Sequence, residues 1–120
     1  MRFIQSTEIA ALGLRPADLV AILEDAFAAA ARGDIVWKPK ATINQPDGAF
    51  LIGALAAWPE KNLGLFHNIM GTAPGNVPPG APHYGSFQLV SDYRRGLLDA
   101  IVDGGITSNL MPGAVTAITA

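Results

Sequence analysis

Two hydrophobic textures alternate along the chain. In "RPADLVAILEDAFAAAARGD", Leu19, Ile22, Leu23, Ala26, Phe27 and Ala30 recur at helical spacing and form one apolar face. Asp18, Glu24, Asp25 and Arg32 fall mostly off that face. Pro16 suits the first helical position, where its missing N–H is no loss, and Gly33 is a natural stop. The pattern predicts a helix over residues 16–32. Before it, "RFI" reads as a short edge strand. "STEIAALGL" reads as a single helical turn capped by Ser6 or Thr7 and ended by Gly13.

After Asp34 the period changes from helix to strand. "IVWKPKATI" is β-branched and aromatic, and Pro39 interrupts it, so an edge or bent strand is expected. "NQPDGAF" carries turn chemistry in Pro46, Asp47 and Gly48. Residues 49–58 and 63–72 read as strands joined by "PEKN". "APGNVPPGAP" reads as a proline- and glycine-rich loop. Residues 83–93 and 96–104 then pair as a hairpin through Arg94 and Arg95. A last helix is expected from Ser108 or Asn109, with Pro112 in its first turn and Met111, Val115 and Ile118 on one face. The order predicts an α+β fold. Its mixed or antiparallel sheet has about five to six strands, covered by the long N-terminal helix, with a short C-terminal helix after it.

Composition narrows the function classes. The 120 residues fit one domain, and charged residues are only 15% of them. So apolar a small domain is expected to bury part of its surface against another copy or another domain. Net charge is −2 with the eight basic residues scattered, which argues against nucleic acid. There is no cysteine, so no disulfide, thiolate metal site or cysteine nucleophile exists. No stretch approaches the roughly 20 apolar residues of a membrane span. The opening "MRFIQSTEIA" lacks a leader's apolar core, so a cytoplasmic protein is expected.

Recognisable catalytic motifs are scarce. His67 and His83 are the only histidines, and no metal-ligand spacing joins them. "GTAPGNVPPG" is neither a dinucleotide fingerprint nor a phosphate loop. Lys38 and Lys40 bracket Pro39 and read either as exposed strand lysines or as a grip on a substrate carboxylate. Asp99 interrupts an apolar run and is expected to face solvent. No Ser-His-Asp set and no acid/base pair can be assembled from the spacing.

Three longer phrases carry a resemblance: "MRFIQSTEIAALGLRPADLVAILEDAFAAAARGDI", "KPKATINQPDGAFLIGALAAW", and the stretch from "APGNVPPGAPHYG" to "GGITSNLMPGAVTAITA". Together they resemble the ornithine cyclodeaminase/mu-crystallin family, in its N-terminal part alone. The resemblance implies a substrate-binding and dimerisation domain whose sheet pairs with a second subunit's into a barrel. It implies that residues 108–120 are the helix leading to a Rossmann domain, which would supply NAD(P) and an acidic catalytic residue. Lys40 stands where the family has an Arg or Lys for the substrate carboxylate. The family's strand lysine falls at Asn68, or at His67 if the alignment shifts by one. Met111 stands at the arginine of a Thr-x-x-Arg-Thr-Ala-Ala phrase, and Pro112 at the threonine after it. Two of three cations are thus replaced by neutral groups.

Three functions follow as alternatives. The chain is the substrate half of an NAD(P)-dependent cyclodeaminase, amino-acid dehydrogenase or ketimine reductase, working as a homodimer with a separate Rossmann partner. Or it is a cofactor-free descendant with a more neutral pocket, walled by Trp58, Phe66, Tyr84 and Met111, that uses His67, Lys40 and Asp99. Or it is a structural dimer without ligand.

Overall fold

The structure, a computed structural model, describes residues 1–119. Strand β1 (Arg2–Ile4) leads into helix α1 (Ser6–Ala11) and the long helix α2 (Pro16–Ala31). Strands β2 (Val36–Trp37), β3 (Ala41–Asn44), β4 (Phe50–Trp58) and β5 (Leu63–Gly71) follow. Then come β6 (Tyr84–Asp92), β7 (Leu97–Asp103) and helix α3 (Gly105–Thr119). The sheet has seven strands in the order β1-β7-β6-β5-β4-β2, with β3 also on β4. Only β1 pairs in parallel, with β7. The fold is α+β with a mixed sheet, as the residue pattern predicts.

Several elements form for the reasons the sequence supplies. α2 starts on Pro16, and the Asp18 carboxylate accepts the backbone N–H of Arg15 at 2.9 Å. It ends before Gly33, whose φ of +82° suits a residue without Cβ. β2 and β3 are one edge strand broken at Lys38-Pro39-Lys40, since both pair with β4, Trp37 opposite Ala56 and Ala41 opposite Gly53. Proline cannot continue the ladder, and the chain bows out there. α1 is capped one residue earlier than the hydroxyls suggest: Gln5 is its cap, and Glu8 accepts the Gln5 N–H at 2.9 Å.

α3 also differs from expectation. It begins at Gly105, so Pro112 lies inside the helix rather than in its first turn. The start is held from outside. The Asp103 carboxylate accepts the Gly105 N–H at 2.8 Å, and the Gly104 carbonyl accepts the Ser108 N–H at 2.8 Å. The first of these bonds satisfies an N–H group that a helix start leaves open, and the second is the first regular rung of the helix. Pro112 in turn leaves the Ser108 carbonyl without its helical donor.

Two neighbouring turns at one end of the sheet are tied through one residue. Asn62, between β4 and β5, has a positive φ of 53°. Its side chain donates to Asp92 at 2.9 Å and accepts the Arg94 N–H at 2.8 Å, which anchors the β6–β7 turn. The Arg95 N–H and the Asn62 amide together hold the Asp92 carboxyl below its ordinary pKa. That contribution is present above the ordinary carboxylate range and is lost as pH falls through the lowered value. Asn62→Ala loses both side-chain bonds and strains the backbone, at a cost of roughly 2–3 kcal/mol. Asn62→Gly relieves the strain and is expected to unfold at a temperature between that of the alanine variant and that of the parent in a thermal melt.

The two sheet faces are unlike each other. Register and alternation put Ala54, Ala56, Leu65, His67, Gln88, Val90 and Val102 on one side, here the helix face. α3 lies over this side, enclosing a cavity with Leu65, Val90 and Val102. α2 packs on α3, and Ala29 is fully buried. Part of the predicted α2 stripe stays outside this contact, since Ile22 and Phe27 are exposed. The opposite side, the open face, carries Ile43, Leu51, Leu55, Phe66, Leu89 and Ile101. Ile43 is 59% exposed and Leu55 54%.

Candidate functional site

The cavity under α3 is where chemistry-bearing residues collect. It is about 440 Å³, walled by Leu65, Val90, Val102 and Met111, with His67, Gln88, Thr107 and Ser108 as its polar groups. That volume falls in the range of small-molecule pockets. A smaller hollow of about 260 Å³ adjoins it, sharing Leu65 and His67, and is lined by Trp37, Lys38 and Lys40.

His67 is the hinge between the two spaces. Its Nε2 is 2.8 Å from Ser86 Oγ in a hydrogen bond. Burial, and then the positive charge of Lys40, hold its pKa below the ordinary histidine value. His67 is therefore neutral at physiological pH. Gln88, directly opposite it on β6, donates to Thr107 Oγ1 at 3.4 Å, and Thr107 donates to the Gly104 carbonyl at 3.2 Å. Ser108 Oγ is buried without a hydrogen-bond partner. A lone buried hydroxyl on a cavity wall is a ready contact for a polar ligand atom.

The residues singled out in the sequence divide by position. Lys40, His67 and Met111 come together around the cavity and its hollow. Asn68 faces away from them, on the open face, where it is 6% exposed and donates to the Ile52 carbonyl at 3.4 Å. Tyr84 lies beside His83, with ring centroids 5.6 Å apart, in a separate hollow with Ser6 and Asp103. There the Gly105 N–H and then Ser6 hold the Asp103 carboxyl below its ordinary pKa, so it serves the helix start. Asp99 is exposed, beside the bulge between Val90 and Ser91. Trp58 packs under Lys61, whose Nζ is 4.0 Å from the ring centroid. Phe66 is on the open face. Ser86, Gln88, Thr107 and Ser108 escaped the sequence reading. Their signal was present: Ser86 and Gln88 share alternation with the strand opposite His67, and Thr107 and Ser108 precede Met111 by one helical turn.

Neither a metal nor a dinucleotide is accommodated by these groups. Among the described residues no cluster of three His, Asp or Glu could hold a metal ion. A dinucleotide needs a glycine-rich turn running from a strand into a helix N-terminus. The glycine-rich segment here runs from β5 to β6 through a three-residue 3₁₀ turn at Pro74–Asn76, so it does not fit NAD(P). No helix among the described residues is long and apolar enough to cross a membrane.

No protein-family model matches the chain, and no curated protein does. Solved structures do. An archaeal alanine dehydrogenase dimer with bound NAD superposes with a TM-score of 0.81 at 20% identity, covering 94% of this chain and 34% of that one. A probable ornithine cyclodeaminase from Bordetella pertussis Tohama I gives 0.77 at 18%, covering 97% and 34%. The Thermococcus litoralis Δ1-pyrroline-2-carboxylate reductase, in complex with NADH and L-proline, gives 0.86 at 16%, covering 97% and 36%. The chain thus spans about a third of the length of these enzymes, and its fold is the fold of that third of an ornithine cyclodeaminase, alanine dehydrogenase or pyrroline-carboxylate reductase subunit.

Proposed function

We propose that this chain is the substrate-binding and dimerisation domain of an NAD(P)-dependent enzyme of the cyclodeaminase and amino-acid dehydrogenase type. Residues outside these 120 would supply the cofactor site. The observation that carries the reading is the two-sided sheet. One face is closed by α3 over a cavity with a lysine-bearing mouth, and the other is apolar and open.

The mouth suits a carboxylate. Lys40 and Lys38 can give charge-assisted hydrogen bonds to it, with neutral His67 beside them as a further donor or acceptor. The open face suits a second copy. The chain exposes 8034 Å², whereas a compact monomer of its 12.5 kDa would expose about 6,200 Å². Its radius of gyration is 15.7 Å, where about 14 Å is usual for this length. The excess surface is more than the roughly 800 Å² that each partner buries in an ordinary interface.

The carboxylate site is tested by titrating the chain with short 2-oxo acids and following tryptophan fluorescence, since Trp37 lines the hollow. Lys40→Ala is expected to weaken binding about tenfold, the worth of one charged hydrogen bond. Unchanged affinity in that variant would remove Lys40 from the site.

A further inference from the structure

His67 is the titratable side chain that the cavity under α3 and the lysine-bearing hollow share. Among the described residues its ring makes one side-chain hydrogen bond, from Nε2 to Ser86 Oγ at 2.8 Å. A serine hydroxyl can accept as well as donate, so this bond survives protonation of the ring and leaves Nδ1 to meet a ligand. The groups around the ring come from four places in the fold. Ala54 lies opposite on β4, and Gln88 lies opposite on β6 with Ser86 beside it. Thr107, Ser108 and Met111 line the cavity from α3. Lys38 and Lys40, at the break between β2 and β3, are the charged groups of the hollow.

We infer that carboxylate binding is coupled to proton uptake by His67, which becomes a third cation of the site once the ligand is seated. The inference rests on the carboxylate reading above and adds to it. In the empty site burial, and then the charge of Lys40, oppose a charge on the ring. A carboxylate held by Lys40 brings an anion into the hollow that His67 lines, offsets that charge and favours the imidazolium. Both ring N–H groups then donate, one to the ligand and one to Ser86 Oγ. The bound form holds more protons than the free form, so affinity rises as pH falls across the histidine range. It levels off once the free chain is protonated as well. An opposite charge nearby moves a pKa by about one unit or more, which sets the effect at about tenfold.

The test is isothermal titration of the chain with 4-methyl-2-oxopentanoate, whose own carboxyl stays ionised from about pH 5.5 to about pH 8.5. Binding is expected to be about tenfold tighter at the lower end of that range. His67→Gln is expected to flatten the profile, whereas His83→Gln, in the separate hollow beside Tyr84, keeps it. Affinity that does not change with pH, or a slope that survives in His67→Gln, would overturn the inference and leave the carboxylate site standing. Absence of binding at every pH would overturn both. If His67→Gln does not fold, proton NMR of the parent decides. The chain has two histidines, so His83→Gln assigns their imidazole signals. The His67 signal must titrate at higher pH with the ligand than without it, and an unmoved titration overturns the inference.

Discussion

Leu55→Asp is expected to convert a dimer into monomers that remain folded. Leu55 sits on β4 in the middle of the open face and lines a groove with Phe66, Leu89, Tyr93 and Leu98. It is more than half exposed in the single chain, so an aspartate there is solvated in the monomer and costs the fold little. In a sheet-to-sheet pairing the same carboxylate would be buried among apolar side chains. An uncompensated buried charge costs about 3–5 kcal/mol, which corresponds to roughly a hundred- to several thousandfold in the dissociation constant. A symmetric pairing buries two of them. Sedimentation should give a dimer for the parent and a monomer for the variant, with similar melting of secondary structure at high dilution. A parent that sediments as a monomer at tens of micromolar would refute the pairing. The expectation has a second support in the core. The buried hydrophobic residues are Ile9, Ala29, Ala100 and Ala114, and among the described residues no large side chain is fully buried. A sheet with so little of its apolar surface covered has much left to gain from contact with another body.

How far the sequence could be read depended on whether the local signal and the tertiary packing agreed. Helix α2 was legible because Pro16 and Gly33 punctuate it, and the β6–β7 hairpin because its two strands flank a short polar turn. The break at Pro39 was legible because proline removes a ladder donor. The start of α3 was not, because Gly104 and Gly105 read as a helix breaker. In the structure Asp103 holds the first turn from outside, and Gly104 is there for a steric reason. The side of β5 that faces the cavity was hidden for a different cause. Leu65 and Ile69 lie on one side of that strand and Phe66 and Met70 on the other, so both faces are apolar and alternation does not distinguish them. Only the position of α3 shows that His67 faces the cavity and Asn68 faces away. The polar groups Gln88, Thr107 and Ser108 were unremarkable in sequence for the same reason, since a single neutral side chain on a strand or helix carries no motif.

Gly104→Ala is expected to destabilise the fold by about 3 kcal/mol, at the upper end for forcing a methyl group into a filled space. A Cβ built at Gly104 would lie 2.7 Å from Ser86 Cβ and 2.9 Å from the Ser86 carbonyl carbon. The second distance involves backbone, which is held in place because the Gly104 N–H donates to the Ser86 carbonyl at 2.9 Å. Relief therefore requires the end of β7 to move away from β6. For a domain of this size that cost lowers the melting temperature by roughly 10–15 °C. Adding Ser86→Gly to the variant removes the Cβ and hydroxyl from the clash but leaves the backbone contact, so recovery should be partial. The same pair of substitutions separates fold from site. Ser86 Oγ is the hydrogen-bond partner of His67, so Ser86→Gly alone should leave the melt within a few degrees of the parent and loosen the imidazole at the cavity mouth. Its readout is carboxylate affinity rather than stability. A Gly104→Ala chain that melts with the parent would mean that the approach of β7 to β6 is not fixed, and that the seat of His67 is not fixed with it.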